Sequence, residues 1–250
     1  MRTIGFVALW LLSAAALAQN PPPAPVPAPA PAAAPAADPI TGSAGLGYLA
    51  TDGNTDSTNS NAAFKLAWDR SGAWIHEWNA LAINARTDGI TTAETYSAGY
   101  KALRDFDEYS YLFATGDWRQ DEFAGYDEQI SETVGYGRRL IDSDKHMLAI
   151  EGGAGAKQST LIDGTELDEA IVRGGLDYAW QISASAEFTQ KLLIEQGDDN
   201  RYTESNTALK AELIGNLALV VSFMIKSNSD VPVGIEKTDR FTSISIEYGF

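Results

Sequence analysis

Cysteine is absent from the 250-residue chain, which excludes a disulfide framework, a thiolate metal site and lipid attachment through a cysteine. Basic residues are scarce as well: 18 Lys and Arg stand against 34 Asp and Glu, a net charge of -16. That balance excludes nucleic acid as a partner, because phosphate binding needs clustered cations. Beyond the first dozen residues there is no apolar run approaching the ~20 residues a spanning helix needs. This argues against membrane helices and says nothing against membrane strands. Histidine occurs twice, as His76 and His146, too few for a zinc site built on several His, Cys or carboxylate ligands.

What is present begins with an export address. Arg2 opens a short positive region, Ile4 to Leu12 form an apolar stretch, and Ala16-Leu17-Ala18 is an A-x-A cleavage site, so residues 1–18 read as a signal peptide. Residues 19–40 are mostly Pro and Ala. Proline at that density blocks helix and sheet ladders alike, so the segment reads as a disordered linker.

From Thr41 to Phe250 the period is two. Ala62, Phe64, Leu66 and Trp68 alternate with Ala63, Lys65, Ala67 and Asp69; Leu217, Leu219, Val221, Phe223 and Ile225 alternate with Ala218, Val220, Ser222, Met224 and Lys226. Ten further segments behave alike, from Ser43–Ala50 to Thr238–Phe250. About twelve alternating strands, one face suited to oil and the other to water, predict an all-β fold: an antiparallel up-and-down transmembrane β-barrel over residues 41–250. Nine aromatic residues (Trp68, Trp74, Trp78, Phe106, Tyr109, Tyr136, Trp180, Tyr248 and Phe250) fall near segment ends that an up-and-down meander brings to one interface, predicted to be periplasmic. The connections at the opposite end carry most of the acids. At that acidic rim Asp163, Glu166, Asp198 and Asp199 are candidate ligands for weak divalent cation binding beside phosphate-bearing lipid.

The inward face carries Lys65, Glu77, Lys101, Glu151, Lys157, Arg173, Asp177, Glu187, Lys191, Glu195, Lys210, Glu212, Lys226 and Glu247, expected to form cross-strand ion pairs or to line water. Tyr111, Phe113, Arg173 and Met224 are expected to narrow the lumen. Gly152-Gly153-Ala154-Gly155 reads as a closely packed strand rather than a phosphate loop, since no helix follows. No catalytic constellation and no cofactor motif stands out, and both histidines fall near the predicted periplasmic end, away from an outer-leaflet serine.

The stretch Gly45 to Ala67, GLGYLATDGNTDSTNSNAAFKLA, resembles the start of the DUF481 family, bacterial outer-membrane proteins that have been called salt-induced. The shared signal is a first strand running into Gly53-Asn54-Thr55. The resemblance extends to the aromatic end, where Tyr248-Gly249-Phe250 is similar to the ending that barrel-assembly machinery recognises. It implies outer-membrane lipids and lipopolysaccharide as surroundings, and it carries over no catalytic residues. Physically, Asp52-Gly53-Asn54 is a turn whose Gly and Asn accept positive φ. The expected function is a structural or low-conductance pore role, linked to osmotic or salt stress only by the resemblance. Two rivals are an outer-membrane lipid hydrolase with a Ser/His site and a secreted soluble β-sheet binding module.

Overall fold

A computed structural model describes residues 40–51, 57–70 and 74–250. The expected signal peptide, the Pro/Ala linker before Ile40 and the Gly53-Asn54-Thr55 turn lie outside the described residues. Twelve strands follow in order: β1 (Ile40–Thr51), β2 (Ser57–Asp69), β3 (Ile75–Thr87), β4 (Ile90–Asp105), β5 (Ser110–Asp121), β6 (Tyr126–Asp142), β7 (His146–Leu161), β8 (Glu166–Ser183), β9 (Ala186–Gln196), β10 (Arg201–Ile214), β11 (Leu217–Asn228) and β12 (Thr238–Gly249). Each pairs antiparallel with its sequence neighbours. β12 then returns to β1, with Ser43 opposite Gly249 and Gly47 opposite Ser245, and the sheet closes into a barrel. A short 3₁₀ turn, Glu122–Ala124, follows β5.

The alternation of the sequence becomes inside and outside. On β11 the side chains of Ala218 and Met224 are buried within the barrel, while Leu217, Val221 and Phe223 are exposed on its wall. The same wall exposes Leu46 (72%), Val134 (67%) and Val172 (64%), a contiguous apolar surface that water-soluble proteins avoid. Closure removes the unpaired strand edge that hydrocarbon does not tolerate, so the apolar wall and the closed ladder support one conclusion.

Two aromatic belts bound that wall. At the end where β1 begins and β12 stops, the terminal end, His76 stacks with Trp78 and Tyr100 and meets Trp68 at a tilt, Phe106 meets Tyr136, and His146 stacks with Tyr178 and Trp180. The second belt, not anticipated from sequence, comprises Tyr48, Tyr96 and Trp118 towards the acidic end. There Tyr96 Oη donates to Glu94 and Trp118 Nε1 to Glu128, each at 2.8 Å. Both rings present an apolar body to lipid and a polar tip to the interface.

Turn chemistry matches the meander. β3 and β4 are joined through Asp88 (φ 51) and Gly89 (φ 78), both left-handed as a two-residue hairpin requires. In β7, a methyl added at Gly153 would lie 2.6 Å from the Val134 carbonyl oxygen, and one at Gly155 would overlap β6 as well, so the small-residue run is a close-packing device.

Because lipid faces the outward residues, Val221→Arg is expected to lower folding stability by about 2–4 kcal/mol if it lies near the bilayer midplane. Ser222→Thr, one residue along and pointing inward, is expected to change it little. Urea unfolding in liposomes checks the pair; equal effects would contradict the face assignment.

Candidate functional site in the barrel lumen

The lumen is crossed by side chains. Parity along β5 sends Tyr111, Phe113, Thr115, Asp117, Arg119 and Asp121 inward. Tyr111 and Phe113 pack with Leu103 in a small apolar cluster. Glycines opposite give them room: a methyl at Gly137 would overlap the Tyr111 ring, and one at Gly135 the Phe113 ring. Lys101 on β4 pairs with Glu151 on β7, and Tyr111 Oη donates to the same carboxylate at 2.7 Å.

Towards the acidic end the crossing side chains are more deeply buried. Arg119 holds Glu195 of β9 with both guanidinium nitrogens, at 3.0 and 3.2 Å, a bidentate pair four strands apart in the ring. Arg173 of β8 bridges Glu195 (3.2 Å) and Asp117 (2.7 Å), and Ser131 donates to Glu195 at 3.3 Å. Glu195 is wholly shielded from solvent, so its charge is supported by these donors and by the neighbouring Lys157 rather than by water. The Tyr202 ring lies 4.5 Å from the Arg119 guanidinium and 5.8 Å from Lys157 Nζ. Lys226 of β11 comes within 4.0 Å of Asp121 on β5, six strands away and therefore on the far wall.

The terminal half is looser. Lys191 and Asp177 form a pair at 2.7 Å whose side chains are 58% and 40% exposed. Lys210 and Glu247 pair at 2.7 Å, and Arg139 reaches Asp105 at 3.0 Å. Ion pairs thus occur in both halves, from the exposed Lys191–Asp177 pair in one to the buried Arg119–Glu195 pair in the other.

Sequence reasoning placed Lys101, Glu151, Lys157, Arg173, Glu195 and Lys226 inside, and the structure brings them into these networks. It missed Asp117 and Arg119 and assigned Asp121 to the outer connections. The signal was parity with Tyr111 and Phe113, obscured because Leu112 and Trp118 make the outer face of β5 equally bulky.

Of the candidate cation ligands, Asp163, Asp198 and Asp199 line a cavity of about 410 Å³ at the acidic mouth with Asp168, Glu169 and Asp230, and no Lys or Arg lines it. Glu166 begins β8 outside that lining. The Asp163 carboxylate accepts from the Thr165 backbone N–H at 2.9 Å, which holds it below the usual carboxylate range. Asp198 donates its N–H to Glu169 at 3.0 Å. Among the described residues no three His, Cys, Asp or Glu side chains converge to hold a metal ion, so the acids act as a field. The histidine rings bond to tyrosines: His76 Nδ1 lies 2.7 Å from Tyr100 Oη and His146 Nδ1 2.9 Å from Tyr178 Oη, both at the terminal end. Tyr248 and Phe250 lie on the outer wall there, with the Phe250 backbone N–H bonded to the Gly42 carbonyl at 2.9 Å.

A family model for a protein of unknown function, DUF481, matches residues 44–250. The chain belongs to the DUF481 family. YdiY of Escherichia coli strain K12 is 30% identical to this DUF481 chain over 212 residues, 84% of this chain and 83% of that protein. Among solved structures, an outer membrane channel from Pseudomonas putida F1 aligns with TM-score 0.51 at 10% identity, over 84% of this chain and 95% of its own. The NanC porin aligns with TM-score 0.48 at 10% identity, over 84% and 97%. The chain is thus a DUF481 protein with the fold of a closed antiparallel β-barrel, which it shares with that outer membrane channel.

The sealed and exposed ion pairs of the DUF481 barrel differ in energetic weight. Glu195→Leu leaves Arg119 buried without its partner and is expected to cost about 3–5 kcal/mol. Asp177→Leu opens an exposed pair and is expected to cost at most about 1 kcal/mol. Denaturant melts of both variants check this ordering.

Proposed function

We propose that this DUF481 barrel is a low-conductance pore of the outer membrane, narrowed from within and biased towards small cations. The observation that carries the reading is the contact between Asp121 and Lys226, which brings opposite walls to within an ion pair's reach. A barrel whose far walls touch through side chains leaves room for small ions threading between charges, not for the wide aqueous path of a sixteen-stranded porin. The bias follows from the mouth: a cavity lined by acids and by no base raises local cation concentration and repels anions.

The apolar wall seats the barrel in outer-membrane lipid, with the terminal end periplasmic and the acidic end facing lipopolysaccharide. Its carboxylates and the lipid phosphates repel one another, and divalent cations lying loosely between them relieve that repulsion. Tyr248 and Phe250, exposed beside the closing strand pair, suit recognition by barrel-assembly machinery during insertion. The osmotic or salt-stress element rests on family resemblance and is checked by growth of a deletion strain in high salt.

Planar-bilayer recordings test the pore. Small currents with a reversal potential favouring K⁺ over Cl⁻ are expected, and Asp168→Asn, Asp198→Asn and Asp199→Asn together are expected to reduce that preference. Large stable channels would contradict the narrow lumen, and silence would leave a purely structural barrel. Calorimetric titration is expected to show millimolar Ca²⁺ association; a flat titration removes the cation element.

A further inference from the structure

Among the described connections at the acidic end, most are tight. Asp88 and Gly89 join β3 to β4, and the turns after β7 and β9 close within a few residues. Residues 229–237, between β11 and β12, are the exception. In the ring of twelve strands that pair stands six places from β5 and β6, so a segment linking them crosses the mouth.

Residues 229–237 do cross it. Pro232 seats on Gly125, just after β5 on the far wall: a methyl at Gly125 would lie 2.8 Å from Pro232 Cδ. Gly125 also has φ +88, so close approach and backbone conformation both require glycine. Pro232 is the sole proline after Pro39. Tyr126 Oη donates to the Asp230 carbonyl at 3.5 Å. Buried Asn200, between β9 and β10, ties the two together. Its Oδ1 accepts from Ser229 Oγ (3.2 Å) and the Asp230 N–H (3.1 Å), while Nδ2 donates to Tyr126 Oη (3.1 Å) and Asn228 Oδ1 (2.9 Å).

The segment is held unevenly. Its base is laced to the wall: the Asn228 N–H donates to the Lys237 carbonyl at 2.9 Å, the Ser229 N–H to Arg201 at 3.0 Å, and Lys237 Nζ to the Ser229 carbonyl at 2.5 Å. Its tip rests on Pro232 and Ile235 against Gly125 and on one long hydrogen bond, while the Val233 side chain stands fully in solvent. A firm base and a lightly seated tip are the arrangement of a hinged flap.

We propose that residues 229–237 form a strap that gates the acidic mouth by docking on Gly125 and lifting from it. This rests on the pore reading and adds its regulation. Docked, Val231, Pro232 and Val233 wall the 410 Å³ cavity beside half-buried Glu169 and narrow the way past it into the lumen, while Asp168, Asp198 and Asp199 stay exposed at its rim. Lifted, the strap opens that cavity and lets cations gathered by the exposed acids pass into the lumen, while Asn200 keeps its bond to Asn228 at the hinge.

The absence of native cysteine makes the test clean. Phe123→Cys and Val233→Cys place thiols on exposed neighbours of the two contact residues, to be joined in the full-length protein by a reducible bis-methanethiosulfonate spacer. In planar bilayers the bridged barrel is expected to lose most of its current, with dithiothreitol restoring it. Asn200→Ala is expected to lengthen openings in the unbridged protein. Equal currents bridged and reduced, or thiols that fail to bridge by mass spectrometry, overturn the gate and leave the pore standing. No current in either state, from protein that still shows a heat-dependent gel shift, removes the pore reading and the gate with it.

Discussion

Every part of this molecule answers to the requirement that no backbone N–H or C=O be left facing oil. The meander satisfies it between sequence neighbours almost without constraint, because antiparallel strands joined by short turns find one another locally. The demanding pair is β1 with β12, whose residues are separated by nearly the whole domain. It is registered over Ser43 to Gly47 against Ser245 to Gly249 and extended by reciprocal bonds between Gly42 and Phe250. Without that seam the remaining strands would form an open sheet with two exposed ladders, and the apolar wall would have no stable setting. The seam also explains the small residues of β1: Gly42 leaves space for the Phe250 ring, and Gly47 for the Asn61 side chain.

Closure fixes the interior too. Once alternation is set, each inward side chain must find a partner in a narrow space, and charge there is tolerated only when paired or wetted. The two halves meet that demand differently. In the terminal half, pairs such as Lys191 with Asp177 remain open to water. In the other, Glu195 gathers Arg119, Arg173 and Ser131 and is itself fully shielded from solvent. The arginines are suited to this because the planar guanidinium holds two oxygens at once, or two carboxylates, where an ammonium offers a single centre of charge.

Alternation carried the fold in the sequence. All twelve strands lie where the period-two segments predict them, differing by a few residues at their ends, because lipid outside and water inside enforce the pattern at every step. The interior was legible only in part. Lys101, Glu151 and Glu195 were visible as charges on the polar phase of their strands. Asp117 and Arg119 were not, because β5 carries aromatic or bulky groups on both faces and hydrophobicity loses its phase. Pairing across the lumen was illegible in principle, since which inward residues meet depends on strand stagger around the closed ring. The Tyr96 and Trp118 belt was hidden for the same reason: tilt lifts mid-strand residues of some strands to the interface.

The same stagger gives the acidic end its character. β6 and β8 are among the longest strands, at 17 and 18 residues, while β9 has 11, so the wall is uneven in height. A low rim beside the tall β8 puts the β9–β10 connection, with Asn200, deep enough to be buried, and from there its amide reaches both Tyr126 and the base of the strap. A rim of even height would hold these groups apart. The polar knot at the mouth is therefore a consequence of how the barrel is tilted, and the crossing segment above it is seated by geometry that begins at the β1–β12 seam.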